Sequence, residues 1–163
     1  RKFPVLRDGE TLVPESTGII EYLAWKFPGP VKLIPDDPAA AFAVREQDRF
    51  FDLHVHAPMQ KIIGERIRPA DKKDPFGLAE AHEALKTALG LVEKRMAEST
   101  WAAGSTFSMA DCAAAPLFYV NLVVMPLAET YRHVAAYLDR LIKRPSFARA
   151  LEEAKPFLQY VPR

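Results

Sequence analysis

Glu15 and Ser16 are the two residues whose types and spacing best support a chemical role. An apolar series with helical spacing follows them, so Ser16 marks the start of a helix. The first turn of a helix has backbone N–H groups without partners and a partial positive charge, and it can therefore hold a carboxylate. The Glu15 carboxylate beside it can accept hydrogen bonds from an ammonium group. An anion site and a cation acceptor one residue apart suit the α-carboxylate and the α-amine of an amino acid.

A short hairpin is predicted just before this helix. Asp8-Gly9 stands between two apolar runs, which is typical of strand, turn and strand. The apolar series of the helix is Ile19, Ile20, Leu23 and Phe27. Each feature also has an ordinary structural explanation, since a serine at a helix start is commonly a cap that contributes about 1 kcal/mol. A proline in a strand likewise usually marks an edge or a turn. The order of these features along the chain is the more specific signal.

This ordered set closely resembles the second half of the glutathione-binding domain of glutathione S-transferases. The matching segments are Phe3-Pro4-Val5-Leu6, Asp8-Gly9 and Glu15-Ser16. The resemblance implies that Pro4 is a cis-proline and that the backbone of Phe3 pairs with the cysteinyl part of glutathione. It also implies that Glu15 and Ser16 hold the γ-glutamyl end. Glutathione is then a substrate, and no metal is expected.

Composition indicates an ordinary soluble globular protein and excludes several classes of partner. The chain has 163 residues, of which 49% are hydrophobic and 26% charged. Because 22 Lys and Arg balance 21 Asp and Glu, the net charge is +1, which favours neither nucleic acid nor an anionic membrane surface. No apolar run approaches the ~20 residues of a membrane span, and the first residues do not resemble a signal peptide. The single Cys112 cannot form an internal disulfide, so we expect a cytoplasmic protein.

The chain divides at a proline-rich stretch after the first helix. We predict a partial thioredoxin-like domain over 1–28, a stiff linker over 29–38 and an all-α domain over 39–163. The fold class is thus α+β but mostly α. Helices are predicted over 39–67, 77–98, 108–124, 129–143 and 146–155. Pro58 lies within the first of these and is expected to kink or break it near Ala57.

Two stretches of the helical part strengthen the resemblance to glutathione S-transferases. Phe107-Ser108-Met109-Ala110-Asp111 resembles the capping motif of that family's central buried helix, and physically it is a capping box between Ser108 and Asp111. Arg144-Pro145-Ser146-Phe147-Ala148-Arg149-Ala150-Leu151 resembles the start of its final helix. The resemblance therefore extends from residue 2 to about residue 155 and implies a truncated thioredoxin-like domain followed by the all-helical C-terminal domain.

Cysteine and histidine chemistry is less well supported. Cys112 follows a helix start, which lowers a thiol pKa when the thiol is exposed, but its apolar neighbours favour a packing role. His54 and His56 are two residues apart, which on a helix points them to different faces, whereas zinc pairs prefer a spacing of four. Asp52 and His56 are expected to form a surface pair. We predict no metal site.

The long first helix of the second domain lines the electrophile pocket in the resembled family. The resemblance therefore implies that Phe50, His54 and Met59 face this pocket. A packing or surface role for these residues is the open alternative.

The resemblance implies a bacterial-type cytosolic glutathione S-transferase that conjugates the glutathione thiolate to small hydrophobic electrophiles, with a role in detoxification and a homodimeric assembly. No residue of the chain matches the Ser, Cys or Tyr that contacts the glutathione sulfur, so the catalytic residue is unknown and is expected in an N-terminal segment that this sequence lacks. The alternative is a non-catalytic module of the same fold that binds ligands or docks subunits.

Overall fold

The hairpin and the first helix form where the sequence predicts them. The computed structural model describes residues 3–163. Strands β1 (Val5–Asp8) and β2 (Thr11–Pro14) pair antiparallel, with Val5 opposite Pro14 and Asp8 opposite Thr11. This register makes Gly9 and Glu10 the two turn residues, one position later than predicted. Gly9 has a φ of 60°, as the first central residue of a type II′ turn requires.

Helix α1 (Ser16–Lys26) packs on the hairpin. No residue of α1 is fully buried, because the small sheet covers only part of its apolar face. An irregular segment then leads to Asp37, whose carboxylate caps the next helix by accepting from the Ala40 N–H (2.8 Å). Besides this linker, an ion pair between Glu21 on α1 and Arg45 on α2 (2.6 Å) joins the hairpin–helix unit to the helical part.

The predicted helix over 39–67 is one helical run with a change of hydrogen bonding in its middle. It comprises α2 (Pro38–Phe50), a π-helical segment (Phe51–His56) and α3 (Ala57–Ile67). Pro58 stands in the first turn of α3 and cannot donate a backbone hydrogen bond. The Ala57 N–H instead reaches five residues back, to the carbonyl of Asp52. The expected break is therefore a π-helical insertion, one of the usual responses to a disturbed hydrogen-bond ladder.

The remaining helices agree with the predicted order but not with every predicted length. After a 3₁₀ turn (Ala70–Lys72) come α4 (Pro75–Glu98), α5 (Met109–Ala113), α6 (Leu117–Tyr119), a second π-helical segment (Val120–Val124), α7 (Arg132–Ile142), α8 (Pro145–Ala154) and a 3₁₀ segment (Lys155–Tyr160). The single helix predicted over 108–124 is wrong. The chain leaves the α-helix after Ala113 and resumes it after Pro116, since the proline lacks the N–H that a continuous helix needs.

The core lies between the helical run over residues 38–67 and the helices α4, α5 and α7. Its largest fully buried side chains include Phe51, Met59, Leu85, Leu89, Met109, Leu117, Tyr137 and Leu141. The predicted capping box forms at the start of α5. The buried Asp111 carboxylate accepts from the Ser108 N–H (2.8 Å), the Ala102 N–H (2.8 Å) and the Tyr137 hydroxyl (2.6 Å). This network ties α5 to α7 and to the loop before α5. In the part of the chain that the structure describes, no helix has the length and apolarity to cross a membrane.

Candidate functional site at the start of helix α1

Glu15 and Ser16 lie where the hairpin turns into α1, as the sequence predicts, but with different roles in the helix. Glu15 is the N-cap residue and Ser16 is the first helical residue. Within residues 3–163, no side chain caps α1. The first backbone bond of the helix runs from the Ile19 N–H to the Glu15 carbonyl (2.9 Å), so the N–H groups before Ile19 are not used inside the helix. The explanation of Ser16 as an ordinary N-cap is therefore wrong, and the helix start is open to an anion.

Glu15 has an unusual backbone conformation. Its φ is 66° and its ψ is 133°, and among the described residues it is the one non-glycine residue with positive φ. Such a conformation costs on the order of 1–3 kcal/mol and is concentrated at functional sites. Both Glu15 and Ser16 are exposed. No local sequence signal indicates this conformation, because glutamate has no preference for positive φ.

Thr17 connects the helix start to the helical domain. Its hydroxyl donates to both carboxylate oxygens of Asp48 on α2, at 3.0 and 3.3 Å. Asp48 is 3% exposed. Burial raises the pKa of its carboxyl group, and the Thr17 hydrogen bond partly opposes this effect. A buried carboxylate thus determines where the start of α1 lies against α2.

A cavity of about 260 Å³ opens next to Ser16. Its other walls come from the helical run over 51–60 and from the segment between α5 and α6. The lining residues besides Ser16 are Asp52, His56, Met59, Gln60, Cys112, Ala113, Ala115, Pro116 and Tyr119. The helical run contributes the polar Asp52, His56 and Gln60 to the lining, whereas Ala113, Ala115 and Pro116 form an apolar side. An amino acid carboxylate at Ser16 would therefore place the rest of its molecule between a polar side and an apolar side of this cavity.

The three residues predicted for an electrophile pocket do not line one cavity. Met59 is buried and lines the cavity beside Ser16. Phe50 and His54 instead line a separate groove of about 630 Å³ between α2 and α4, together with Leu91 and Arg95. Their rings contact each other, with centroids 5.3 Å apart. Phe50 and His54 therefore do not share a cavity with Ser16, because they lie on a different face of the helical run.

Sequence reasoning missed Asp52, His56 and Tyr119 as neighbours of Ser16. Asp52, His56 and Met59 follow one another at intervals of four and three residues, which is the spacing of one helix face. That spacing could have grouped them, but it could not show which domain they face. Asp52 and His56 had been expected to form only a surface pair.

Cys112 lies beside the candidate site, which a packing role alone does not require, but its thiol is not activated as a nucleophile. It lines the same cavity as Ser16, and its Sγ lies 3.7 Å from the Ser108 carbonyl oxygen. Burial, assisted by the nearby Asp111 charge, raises the pKa of the Cys112 thiol to about 11. The thiol is therefore protonated at neutral pH and is a poor nucleophile.

Two further predictions can be placed on the structure. The Phe3–Pro4 peptide bond is cis, as the resemblance implies. The role of the Phe3 backbone in binding the cysteinyl part of glutathione stays a prediction. Among the described residues, no three His, Cys, Asp or Glu side chains form a group that could hold a metal ion.

Family models identify both parts of the chain. A model described as "Glutathione S-transferase, C-terminal domain" matches residues 55–145, and one described as "Glutathione S-transferase, N-terminal domain" matches residues 1–31. Glutathione S-transferase 1 of Manduca sexta is 31% identical over 147 residues, which cover 84% of this chain and 62% of that protein. Glutathione S-transferase U25 of Arabidopsis thaliana is 26% identical over 167 residues, which cover 99% of this chain and 72% of that protein.

Solved structures show the same relationship. A glutathione S-transferase of Methylobacterium radiotolerans in complex with glutathione sulfonate matches with a TM-score of 0.78 and 27% identity, covering 91% of this chain and 71% of that one. One of Methylobacillus flagellatus with glutathione bound has a TM-score of 0.81 and 28% identity, covering 91% and 74%. The C-terminal family model covers more than half of the chain, and the hairpin and the start of α1 fall within the residues that the N-terminal model matches. The chain belongs to the glutathione S-transferase family.

Proposed function

We propose that the chain is the larger part of a cytosolic glutathione transferase that conjugates the glutathione thiolate to small hydrophobic electrophiles. One observation carries the proposal, namely that the open start of α1 at Ser16 lines a cavity with a partly apolar wall, to which Met59, Ala115 and Pro116 contribute. Two of the similar structures are described as holding glutathione or glutathione sulfonate. The arrangement suits a molecule with a charged amino acid end and a reactive group near apolar surface.

The γ-glutamyl end of glutathione is assigned to the start of α1. Its α-carboxylate would accept from the N–H groups of the first turn and from the Ser16 hydroxyl. The ammonium group would donate to Glu15, and Asp52 in the wall of the same cavity would add a second negative charge nearby. The Phe3 backbone and the cis Pro4 would align the rest of the tripeptide. Binding energy from this remote end then positions the sulfur for reaction.

The reaction itself is attack of the glutathione thiolate on an electrophilic carbon in the cavity that Met59 lines. The residue that stabilises the thiolate is assigned to a segment before residue 1. Exposed apolar side chains on the hairpin and α1 support this, since Val5, Leu12, Leu23 and Trp25 are 39–77% exposed and a two-stranded sheet with one helix is marginal alone. Further strands of a thioredoxin-like domain would cover them.

A homodimer, a cytoplasmic location and a role in detoxification complete the proposal. The groove between α2 and α4 supports the dimer, because Leu53 and Leu91 line it and are 51% and 53% exposed. Phe50 and His54 lie in this groove and are assigned to it rather than to the electrophile pocket. The division into a partial domain over 1–28, a linker over 29–38 and a helical domain over 39–163 is part of the same proposal.

Retention of the full-length protein on immobilised glutathione tests the proposal. Ser16→Ala removes one hydrogen bond to a carboxylate, so we expect binding to weaken by about tenfold to a hundredfold. Ser146→Ala, at an exposed serine in the first turn of α8, is the matched control and should bind like the unchanged protein. Equal retention of both variants would refute the role of Ser16. A conjugation assay with the full-length protein then tests whether bound glutathione reacts.

A further inference from the structure

We infer that Glu21 and Arg45 are positioning residues for the start of α1, and that their ion pair sets the rotation of this helix so that Ser16 faces the cavity beside it. This inference rests on the proposed function, in which the γ-glutamyl carboxylate of glutathione binds at Ser16. Glu21 lies on α1 and Arg45 on α2, and both are outside the lining of the cavity. They therefore act on a ligand only through the position of α1.

Glu21 and Arg45 form an ion pair with two hydrogen bonds. The Arg45 Nε donates to Oε1 of Glu21 (2.6 Å), and its Nη2 donates to Oε2 (3.0 Å). A planar guanidinium matches the two oxygens of a carboxylate, so such a pair restricts orientation as well as distance. The hydrogen bond from Arg45 lowers the pKa of the Glu21 carboxyl group. Both groups are therefore charged at neutral pH.

This ion pair adds a second polar contact between α1 and α2. The first is the bond from the Thr17 hydroxyl to Asp48. Thr17 and Glu21 are four residues apart on one face of α1, about 6 Å from each other along its axis. Arg45 and Asp48 are three residues apart on one face of α2. Two contacts at separate points fix the direction and the rotation of α1, whereas the Thr17 contact alone would allow the helix to pivot.

Apolar packing does not supply this constraint on α1. No residue of α1 is fully buried, and Ile20 contacts the core as a partly buried side chain. Hydrophobic contact is not directional, so it holds the helix without setting its rotation. Side-chain atoms lie about 4 Å from a helix axis, so a rotation of about 20° would move the Ser16 hydroxyl by about 1.4 Å. A shift of that size breaks a hydrogen bond to a carboxylate.

Binding of glutathione and of 4-aminobutanoyl-Cys-Gly to the full-length protein, measured by calorimetry, tests the inference. The second compound is glutathione without its α-carboxylate, so the ratio of the two dissociation constants measures how well the start of α1 holds that group. The unchanged protein should prefer glutathione by about a hundredfold. Glu21→Gln and Arg45→Met should each reduce this preference by about threefold to tenfold. A role in stability alone would not change the ratio, because both ligands bind the same folded protein.

The double variant separates positioning from a purely electrostatic effect. If Arg45 acted only by neutralising Glu21, Glu21→Gln would increase the preference for glutathione, since it removes a negative charge near the bound carboxylate. Positioning predicts that Glu21→Gln reduces the preference. It also predicts that Glu21→Gln combined with Arg45→Met reduces it no more than either substitution alone, because all three variants lack the same ion pair. An increased preference in Glu21→Gln, or a double variant that binds like the unchanged protein, would refute the inference.

Lys26→Met is the matched control. Lys26 also carries an ion pair of α1, to Asp8 (2.5 Å), and its side chain is 42% exposed against 49% for Arg45. Its pair joins α1 to the hairpin rather than to α2, so Lys26→Met should keep the preference of the unchanged protein. If Glu21→Gln and Arg45→Met keep it too, or if Lys26→Met reduces it equally, the inference is wrong while the proposed function stands. If the unchanged protein shows no preference for glutathione, the carboxylate site at Ser16 fails and the inference fails with it.

Discussion

Thr17→Val should destabilise the protein in a pH-dependent way. The substitution keeps the shape of the side chain but removes the hydroxyl that donates to Asp48 at 3.0 and 3.3 Å. Because Asp48 is 3% exposed, water does not readily replace the lost donor. A hydrogen bond to a buried charged group contributes about 1.5–3 kcal/mol. We therefore expect the free energy of unfolding at pH 8 to fall by about 2 kcal/mol.

The sign of the pH effect follows from the Asp48 pKa. Burial raises this pKa above its ordinary value, and the Thr17 hydroxyl lowers it. A raised folded pKa means that the group favours folding at low pH and loses that contribution as the pH rises through the folded value. Thr17→Val raises the folded pKa further. Its extra cost in the free energy of unfolding therefore develops as Asp48 ionises, so it is larger at pH 8 than at pH 4.5.

Urea unfolding of the full-length protein at pH 4.5 and pH 8 measures both quantities. The matched background is the Asp48→Asn variant, because the asparagine side chain cannot ionise. In this background Thr17→Val should lower the free energy of unfolding by about 1 kcal/mol at either pH. The affinity for glutathione should also fall, because Thr17 is adjacent to Ser16 and positions the start of α1. An equal cost of Thr17→Val at both pH values and in both backgrounds would refute the assignment of Asp48 as an ionised hydrogen-bond partner.

Two other substitutions test the surroundings of the site. Asp111→Ala leaves the Ala102 N–H, the Ser108 N–H and the Tyr137 hydroxyl without their acceptor. It should therefore lower the free energy of unfolding by about 4 kcal/mol, whereas Tyr137→Phe should lower it by about 1–2 kcal/mol. Similar costs of the two substitutions in urea unfolding would contradict the network. Since the Cys112 thiol has a pKa of about 11, a disulfide reagent should modify it slowly at pH 7.5, with a rate that increases up to about pH 11. Rapid labelling of the folded protein that levels off below pH 9 would show instead an activated thiol.

Sequence patterns predicted the local features of this protein well. The hairpin, the start of α1 and the capping box depend on residues that are neighbours along the chain, such as Asp8-Gly9 and Ser108 with Asp111. Leu85, Leu89 and Val92, which follow one another at helical spacing in the predicted helix over 77–98, are buried in α4. The helix over 108–124 was predicted as continuous although it contains Pro116, and the structure places the interruption next to this proline.

The residues beside the candidate site were not predictable in the same way. Phe50 and His54 were grouped with Met59 because all three lie on one predicted helix. The π-helical segment between Phe51 and His56 adds residues to a turn, so a regular helical period does not relate the faces before and after it. Even within a regular helix, the spacing of Asp52, His56 and Met59 shows that they share a face, but it does not show which other segment of the chain packs against that face.

The sequence alone determined which family the chain belongs to, the start of α1 at Glu15 and Ser16, and the order of the helices. These features follow from short-range turn, capping and periodicity rules, which act within a few residues. Tertiary structure alone decided that the start of α1 opens onto a cavity lined by Asp52, Met59 and Tyr119. It also decided that the buried Asp48 carboxylate holds the start of α1 there. Phe50 and His54 face another groove for the same reason. The physical reason is that these relations depend on how distant segments pack, and packing selects one face of each helix among several that the sequence permits.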